Sequence, residues 1–203
     1  MAPLKNKSLY LLFIIATGMF YSCSPRNIST KYYEQNKVAL DNIEQSYRSL
    51  YKQQPFIVGF TDKSFENISL EIITDSLTYI YDFKINEKRL SDSLVKFKLN
   101  NTAATAMINK MRSIRCTWVN NFDYYVNGEK KELVFLSIKP VGLSRPFSNK
   151  KYYIITYFSQ KQYYDKEGRL VNNRRQRQLH KLNGEIFKRI NDKVSYTVSS
   201  TYR

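Results

Sequence analysis

The 203-residue chain predicts an α+β fold, an antiparallel β-sheet with about three helices packed on it, and three observations lead there. Apolar residues recur at steps of three and four in three separate stretches, the period of an amphipathic helix. Between those stretches they recur at every second position, the period of a strand with one buried and one wet face. That pattern belongs to antiparallel sheet rather than to a parallel α/β core. Short polar links join the alternating runs, as hairpins require. With 42% hydrophobic residues, 17 Tyr and 12 Phe, and only 6 Gly and 5 Pro, the composition suits a packed core and not a disordered chain.

Taken in order, the elements are helix, strands, helix, strands, helix, strand. Lys31 to Lys52 carries Tyr33, Asn36, Leu40, Ile43, Tyr47 and Leu50 on one stripe. Ser29 or Thr30 can cap this helix, Glu34 suits its first turn, Glu44 and Arg48 form an i,i+4 pair, and Pro55 bars its continuation. Phe56 to Phe60 is a short apolar run. Ile68, Leu70 and Ile72 then alternate with polar residues, as do Leu77, Tyr79, Tyr81, Phe83 and Ile85, and again Val95, Phe97 and Leu99. A second helix is expected over Thr102 to Ile114, with Ala104, Met107, Ile108 and Met111 on one face. Trp118–Val126 and Leu133–Lys139 flank Asn127-Gly128, a strong type I′ hairpin signal. Tyr152 to Tyr164 reads as a long aromatic strand. The YDKEGRL stretch after it resembles one unit of a YD repeat, and a single copy reports a tight turn with Gly168 at positive φ. Arg174 to Ile190 reads as a basic helix, and Tyr196 and Val198 as a final strand. Residues 31–203 are expected to form a single domain, with two halves divided near residue 100 as the alternative.

The N-terminus carries an address. Lys5 and Lys7 precede Leu9 to Phe20, an uncharged apolar run of twelve. Twelve helical residues span about 18 Å and cannot cross a hydrocarbon core of about 30 Å. A basic start, a short apolar stretch and then small residues is the layout of a secretory signal peptide, here residues 1–22. Tyr21-Ser22-Cys23-Ser24 resembles the lipobox of bacterial lipoproteins, with Phe20 where Leu is commonest and Tyr21 where a smaller residue is usual. The resemblance implies that Cys23 carries a diacylglyceryl group and becomes the mature N-terminus, with residues 23–30 as a lipidated tether. It further implies a cell-envelope protein held at a membrane. Lipoproteins sent to the outer surface in some of these bacteria carry acids just after the cysteine. Ser24-Pro25-Arg26-Asn27 has none, which implies a domain facing the periplasm.

Removal of residues 1–22 leaves 31 basic and 17 acidic residues, a net charge of +14. Such a balance can signal nucleic-acid binding. Export removes that partner and leaves anionic lipid, envelope glycan or an acidic protein surface. One His and two Cys cannot build a His- or Cys-based zinc site, an iron–sulfur cluster or a disulfide framework. No Walker loop, GxGxxG, HExxH, GxSxG or EF-hand spacing occurs, so no cofactor, metal or catalytic residue is expected. Cys116, His180 and Asp123 are the residue types of a cysteine-nucleophile triad, but Cys116 beside Trp118 in an apolar strand reads as a small buried hydrophobe.

Three further features concern binding. On the expected basic helix, Arg174, Arg177, Lys181 and Lys188 fall within about 60° of one another. They lie opposite Leu179, Leu182, Ile186 and Ile190, a candidate contact for an anionic surface. Asp75-Ser76-Leu77 and Asp92-Ser93-Leu94 resemble the acceptor of an O-glycosylation system of some envelope proteins, which implies Ser76 and Ser93 as modified residues. Tyr doublets at 32–33, 124–125, 152–153 and 163–164 place one ring inward and one outward where they lie on strands. The expected function is a non-catalytic binding or accessory domain for a protein or glycan partner. The alternatives are an envelope hydrolase with scattered acids, such as Asp75/Asp82 or Asp123/Glu129, and an immunity-type protective lipoprotein.

Overall fold

A computed structural model describes residues 25–126, 128–138, 152–170 and 187–199. Helix α1 spans Pro25–Gln53, followed by β1 Phe56–Phe60, β2 Asn67–Ile73 and β3 Thr78–Lys84. Two helices come next, α2 Lys88–Lys96 and α3 Asn101–Ser113. The long strands β4 Cys116–Val126, β5 Glu129–Ile138 and β6 Tyr152–Phe158 follow, then the two-residue β7 Lys188–Arg189 and β8 Val194–Ser199. All eight strands form one antiparallel sheet, ordered β3-β2-β1-β4-β5-β6-β8-β7. The fold is α+β, as the two periodicities predict.

Chain order explains the topology. The β1–β3 meander grows outward on one side of β1. Helices α2 and α3 then return the chain so that β4 pairs with the other side of β1, Val58 opposite Val119 and Gly59 opposite Trp118. The sheet therefore runs unbroken across residue 100. All three helices contribute to one core on the same face: Leu40, Ile43, Tyr47 and Leu50 of α1, Leu90 and Leu94 of α2, and Met107, Ile108 and Met111 of α3. They bury Val58, Leu70, Val119, Leu136 and Ile155 of the sheet. Two tyrosines fix α1 through backbone carbonyls. Tyr32 donates its hydroxyl to Ile114 O at the end of α3, and Tyr47 donates to Phe56 O at 2.5 Å. On the opposite face Trp118, Tyr124, Leu133, Phe135, Ile154, Phe158 and Phe187 form a smaller aromatic cluster. A bulge in β4 makes both faces possible, because the register steps between Cys116 opposite Ile138 and Trp118 opposite Ser137. Cys116 and Val119 thus join the helix-side core while Trp118 joins the other cluster.

Four expectations are corrected. The tether over residues 23–30 gives way to helix from Pro25, with Pro at the first helical position and Ser29 already buried. The expected strand Val95–Leu99 is instead the end of α2. Lys98 adopts φ 58°, Lys98 N–H donates to Val95 O and Leu99 N–H to Leu94 O, so a helix C-terminal motif mimics strand alternation. The long strand over 152–164 stops at Phe158. The basic helix expected to reach Ile190 does not, because Lys188 and Arg189 are the strand β7; residues 171–186 lie outside the described residues. The two glycine turns behave as the sequence predicts, with φ 82° at Gly128 and 74° at Gly168.

Candidate functional site

From Tyr33, which it shares with the core stripe, α1 carries a second stripe at helical spacing: Lys37, Asp41, Glu44, Arg48 and Lys52. Where α1 crosses β6 and β8, this stripe forms one wall of an open cleft of about 970 Å³. Glu132 at the middle of β5, Tyr157 near the end of β6 and the β7–β8 turn, Asn191 to Lys193, form the other.

Hydrogen bonds across the cleft order its floor. Tyr157 donates its hydroxyl to Asp41 Oδ1 at 2.9 Å, and Asn191 Nδ2 donates to the Tyr33 hydroxyl at 3.1 Å. The Asn191 carboxamide oxygen in turn accepts from the Lys193 and Val194 backbone N–H groups at 2.9 Å, which fixes the turn. Arg48 is the central cation, with only 19% of its side chain exposed. Its Nε donates to Glu44, one terminal nitrogen donates to Tyr157 O at 3.2 Å, and the other lies 3.7 Å from Glu132. Burial first and Asp41 second push the Tyr157 and Tyr33 phenols above their ordinary range. Both phenols therefore stay protonated well into the alkaline range, Tyr157 as donor to Asp41 and Tyr33 as acceptor from Asn191.

The acids of the cleft are already engaged: Asp41 by Tyr157, Glu44 and Glu132 by Arg48, and Asp192 by Arg189 at 2.7 Å and Lys161 at 3.7 Å. Lys37, Lys52 and Lys193 line the same cleft without an ion-pair partner among the described residues. The accessible surplus is cationic. What the site can do chemically is accept an extended ligand carrying negative charge, held by ammonium groups at its rim over a floor that the Tyr157–Asp41 and Asn191–Tyr33 bonds keep in order.

The sequence-predicted residues fall elsewhere. Cys23, Arg174, Arg177 and Lys181 lie outside the described residues, as does His180. Lys188 is exposed on β7, paired in register with Tyr196, so it shares no helix face with the other three. Ser76 sits at the tip of the β2–β3 turn, exposed, where Thr74 Oγ1 donates to Leu77 O at 2.7 Å. Ser93 lies inside α2, half-buried, and its neighbour Leu94 is fully buried, so the Asp92-Ser93-Leu94 stretch is not presented as an extended acceptor. Cys116 is fully buried, and Asp123 pairs with Lys130 at 2.9 Å on the β4–β5 hairpin. Of the tyrosine doublets, Tyr124 is buried and Tyr125 exposed on a strand as expected, whereas Tyr32 and Tyr33 belong to α1. Sequence reasoning missed Asp41, Arg48, Glu132 and Tyr157 as a group. Only the α1 half was legible, as polar residues spaced beside the apolar stripe; Asp41 and Tyr157 stand 116 residues apart.

Among the described residues no helix is long and apolar enough to cross a membrane, and no three His, Cys, Asp or Glu side chains are grouped to hold a metal ion. Compared with known proteins, the chain matches no protein-family model, no curated protein and no solved structure.

Proposed function

We propose that the chain is a membrane-anchored envelope lipoprotein whose α+β domain is a non-catalytic binding module for a negatively charged glycan or protein segment. The observation that carries the binding role is the cleft along α1, which Lys37, Lys52 and Lys193 line without an ion-pair partner among the described residues. The lipid anchor is inferred from the apolar run ending at Cys23, and the periplasmic placement from the absence of acid in residues 24–27. An immunity-type role is the same reading with an acidic toxin surface as the partner.

A hydrolase is the second reading, because Asp41, Glu44, Glu132 and Asp192 line one cleft. Each already has a partner, which leaves the arrangement better suited to holding Arg48 and Tyr157 in place than to proton transfer. One experiment separates the two. The full chain is titrated with an acidic polysaccharide and with a neutral one of similar size, and released sugar is assayed. Binding to the acidic polymer alone, weakened at least about tenfold by Lys37→Gln/Lys52→Gln/Lys193→Gln, supports the module. Turnover that disappears in Asp41→Asn would install the hydrolase instead. Equal binding by wild type and the triple variant would remove the cleft from the reading.

A further inference from the structure

The two edges of the sheet are treated differently. At one end β7 has two residues, both basic and exposed, which is the usual protection of an edge. At the other end β3 has seven residues, and its charges, Asp82 and Lys84, are confined to its last three positions. Thr74 N–H donates to Leu77 O at 2.8 Å and Ile85 N–H donates to Glu66 O at 2.9 Å, so the odd-numbered residues of β3 bond inward to β2. By the alternation of an antiparallel ladder, the N–H and C=O groups of Thr78, Ile80, Asp82 and Lys84 point out of the sheet. Glu87 accepts the Lys84 N–H at 3.1 Å, which closes that end and leaves residues 78, 80 and 82 without an outward partner among the described residues. The side chains around this edge are apolar and exposed: Leu77 is 57% exposed, Tyr79 39% and Ile80 64%, with Val95 of α2 at 64%. Beneath them Tyr79 stacks on Tyr81 at 6.4 Å and 10°, and both rings lean on Phe97, which ties the side chains of the strand to the end of α2.

We infer that β3 is the dimerisation edge of this protein and that its occupant is β3 of a second copy, paired antiparallel about a two-fold axis through Ile80. The register follows from the sequence of the strand. With Ile80 opposite Ile80 of the second copy, Thr78 faces Asp82 in both directions, a hydroxyl against a carboxylate. Tyr79 faces Tyr81, ring against ring, and Lys84 reaches Ser76 in the turn that also carries Asp75. No like charges are opposed. A shift to a centre on Tyr81 sets Asp82 against Ile80, and a centre on Asp82 sets two carboxylates face to face, so the Ile80 centre is the one that the side chains favour. The pairing satisfies the outward backbone groups of both strands, covers Ile80 and Tyr79, and extends one sheet through two molecules.

The test is made on the full chain. Directly opposed, hydrogen-bonded residues of an antiparallel pair lie about 5.5 Å apart at Cα, within disulfide range. Under mild oxidation Ile80→Cys is expected to shift to twice the chain mass on a non-reducing gel, while the wild type and Val38→Cys, an exposed position on α1, stay at the monomer mass. In parallel, the detergent-extracted wild type should sediment as a dimer and Ile80→Pro as a folded monomer, since this N–H points outward and no internal bond is lost. Cross-linking of Ile80→Cys to a band of any other mass would overturn the proposal in favour of a different strand donor. So would equal cross-linking of Val38→Cys, or a wild type that sediments as a monomer.

Discussion

Cys116 sits on β4 with its side chain wholly inside the helix-side core, its sulfur 3.6 Å from Trp118 O. Desolvation pushes its thiol up to about 12, so the thiolate needed for attack on an electrophile is scarce near neutral pH. Iodoacetamide at about pH 8 is expected to leave Cys116 unmodified in the folded protein and to alkylate it fully in denaturant, read as a mass shift on a peptide containing residue 116. Modification in the native state would return Cys116 to the list of reactive groups. Tyr157 shows the same effect of burial put to another use. There the desolvated group is a phenol, and burial together with Asp41 keeps its proton on oxygen as a donor in the cleft. The bulge at Cys116/Trp118 makes the first case possible by turning the thiol inward and the indole to the other face. No spacing rule in the sequence announces it.

Helix α2 is the element on which periodicity misleads. Its sequence, KRLSDSLVK, has a strong amphipathic arrangement over only nine residues, and the next residues continue with alternating Phe97, Lys98 and Leu99. In the folded chain Leu90 and Leu94, one helical turn apart, enter the core, Val95 is exposed, and Leu99 is buried after a left-handed turn at Lys98. A strand over 95–99 would reverse the roles of Leu94 and Val95. Leu94→Ala is therefore expected to cost about 3 kcal/mol and Val95→Ala no more than about 0.5 kcal/mol, measured by urea unfolding. The reverse order would restore the strand. By contrast α1 is legible almost throughout: the apolar stripe from Tyr33 to Leu50 and the Glu44–Arg48 pair both hold in the structure. Its start is not, because Pro25 reads equally well as a tether breaker and as a first helical residue.

For the whole molecule, the start of α1 at Pro25 changes what anchoring at Cys23 would mean. A long tether would let the domain stand away from its membrane; a helix beginning two residues after the lipid would keep the start of α1, about 44 Å long, close to the anchor. This rests on acylation. Cys23→Ala is expected to move the protein from the detergent phase to the aqueous phase on temperature-induced phase separation and to leave the precursor uncut. A wild type that already partitions into water would end the lipoprotein reading while leaving the cleft and the β3 edge untouched.

The sequence by itself determined the class of fold and most of its elements, because helix and strand periods and the two glycine turns depend on residues within a few positions of one another. Leu40, Ile43 and Tyr47 declare a buried helix face, and Ile68, Leu70 and Ile72 a buried strand face, before any partner is known. Only the tertiary structure decided what those faces leave over. The cleft exists because β6 and the β7–β8 turn bring Tyr157 and Asn191 against α1, and the open edge exists because β4 returns to pair with β1 rather than with β3. Both depend on pairings between residues far apart along the chain, where the choice of partner is made by packing the whole core at once rather than by any local pattern.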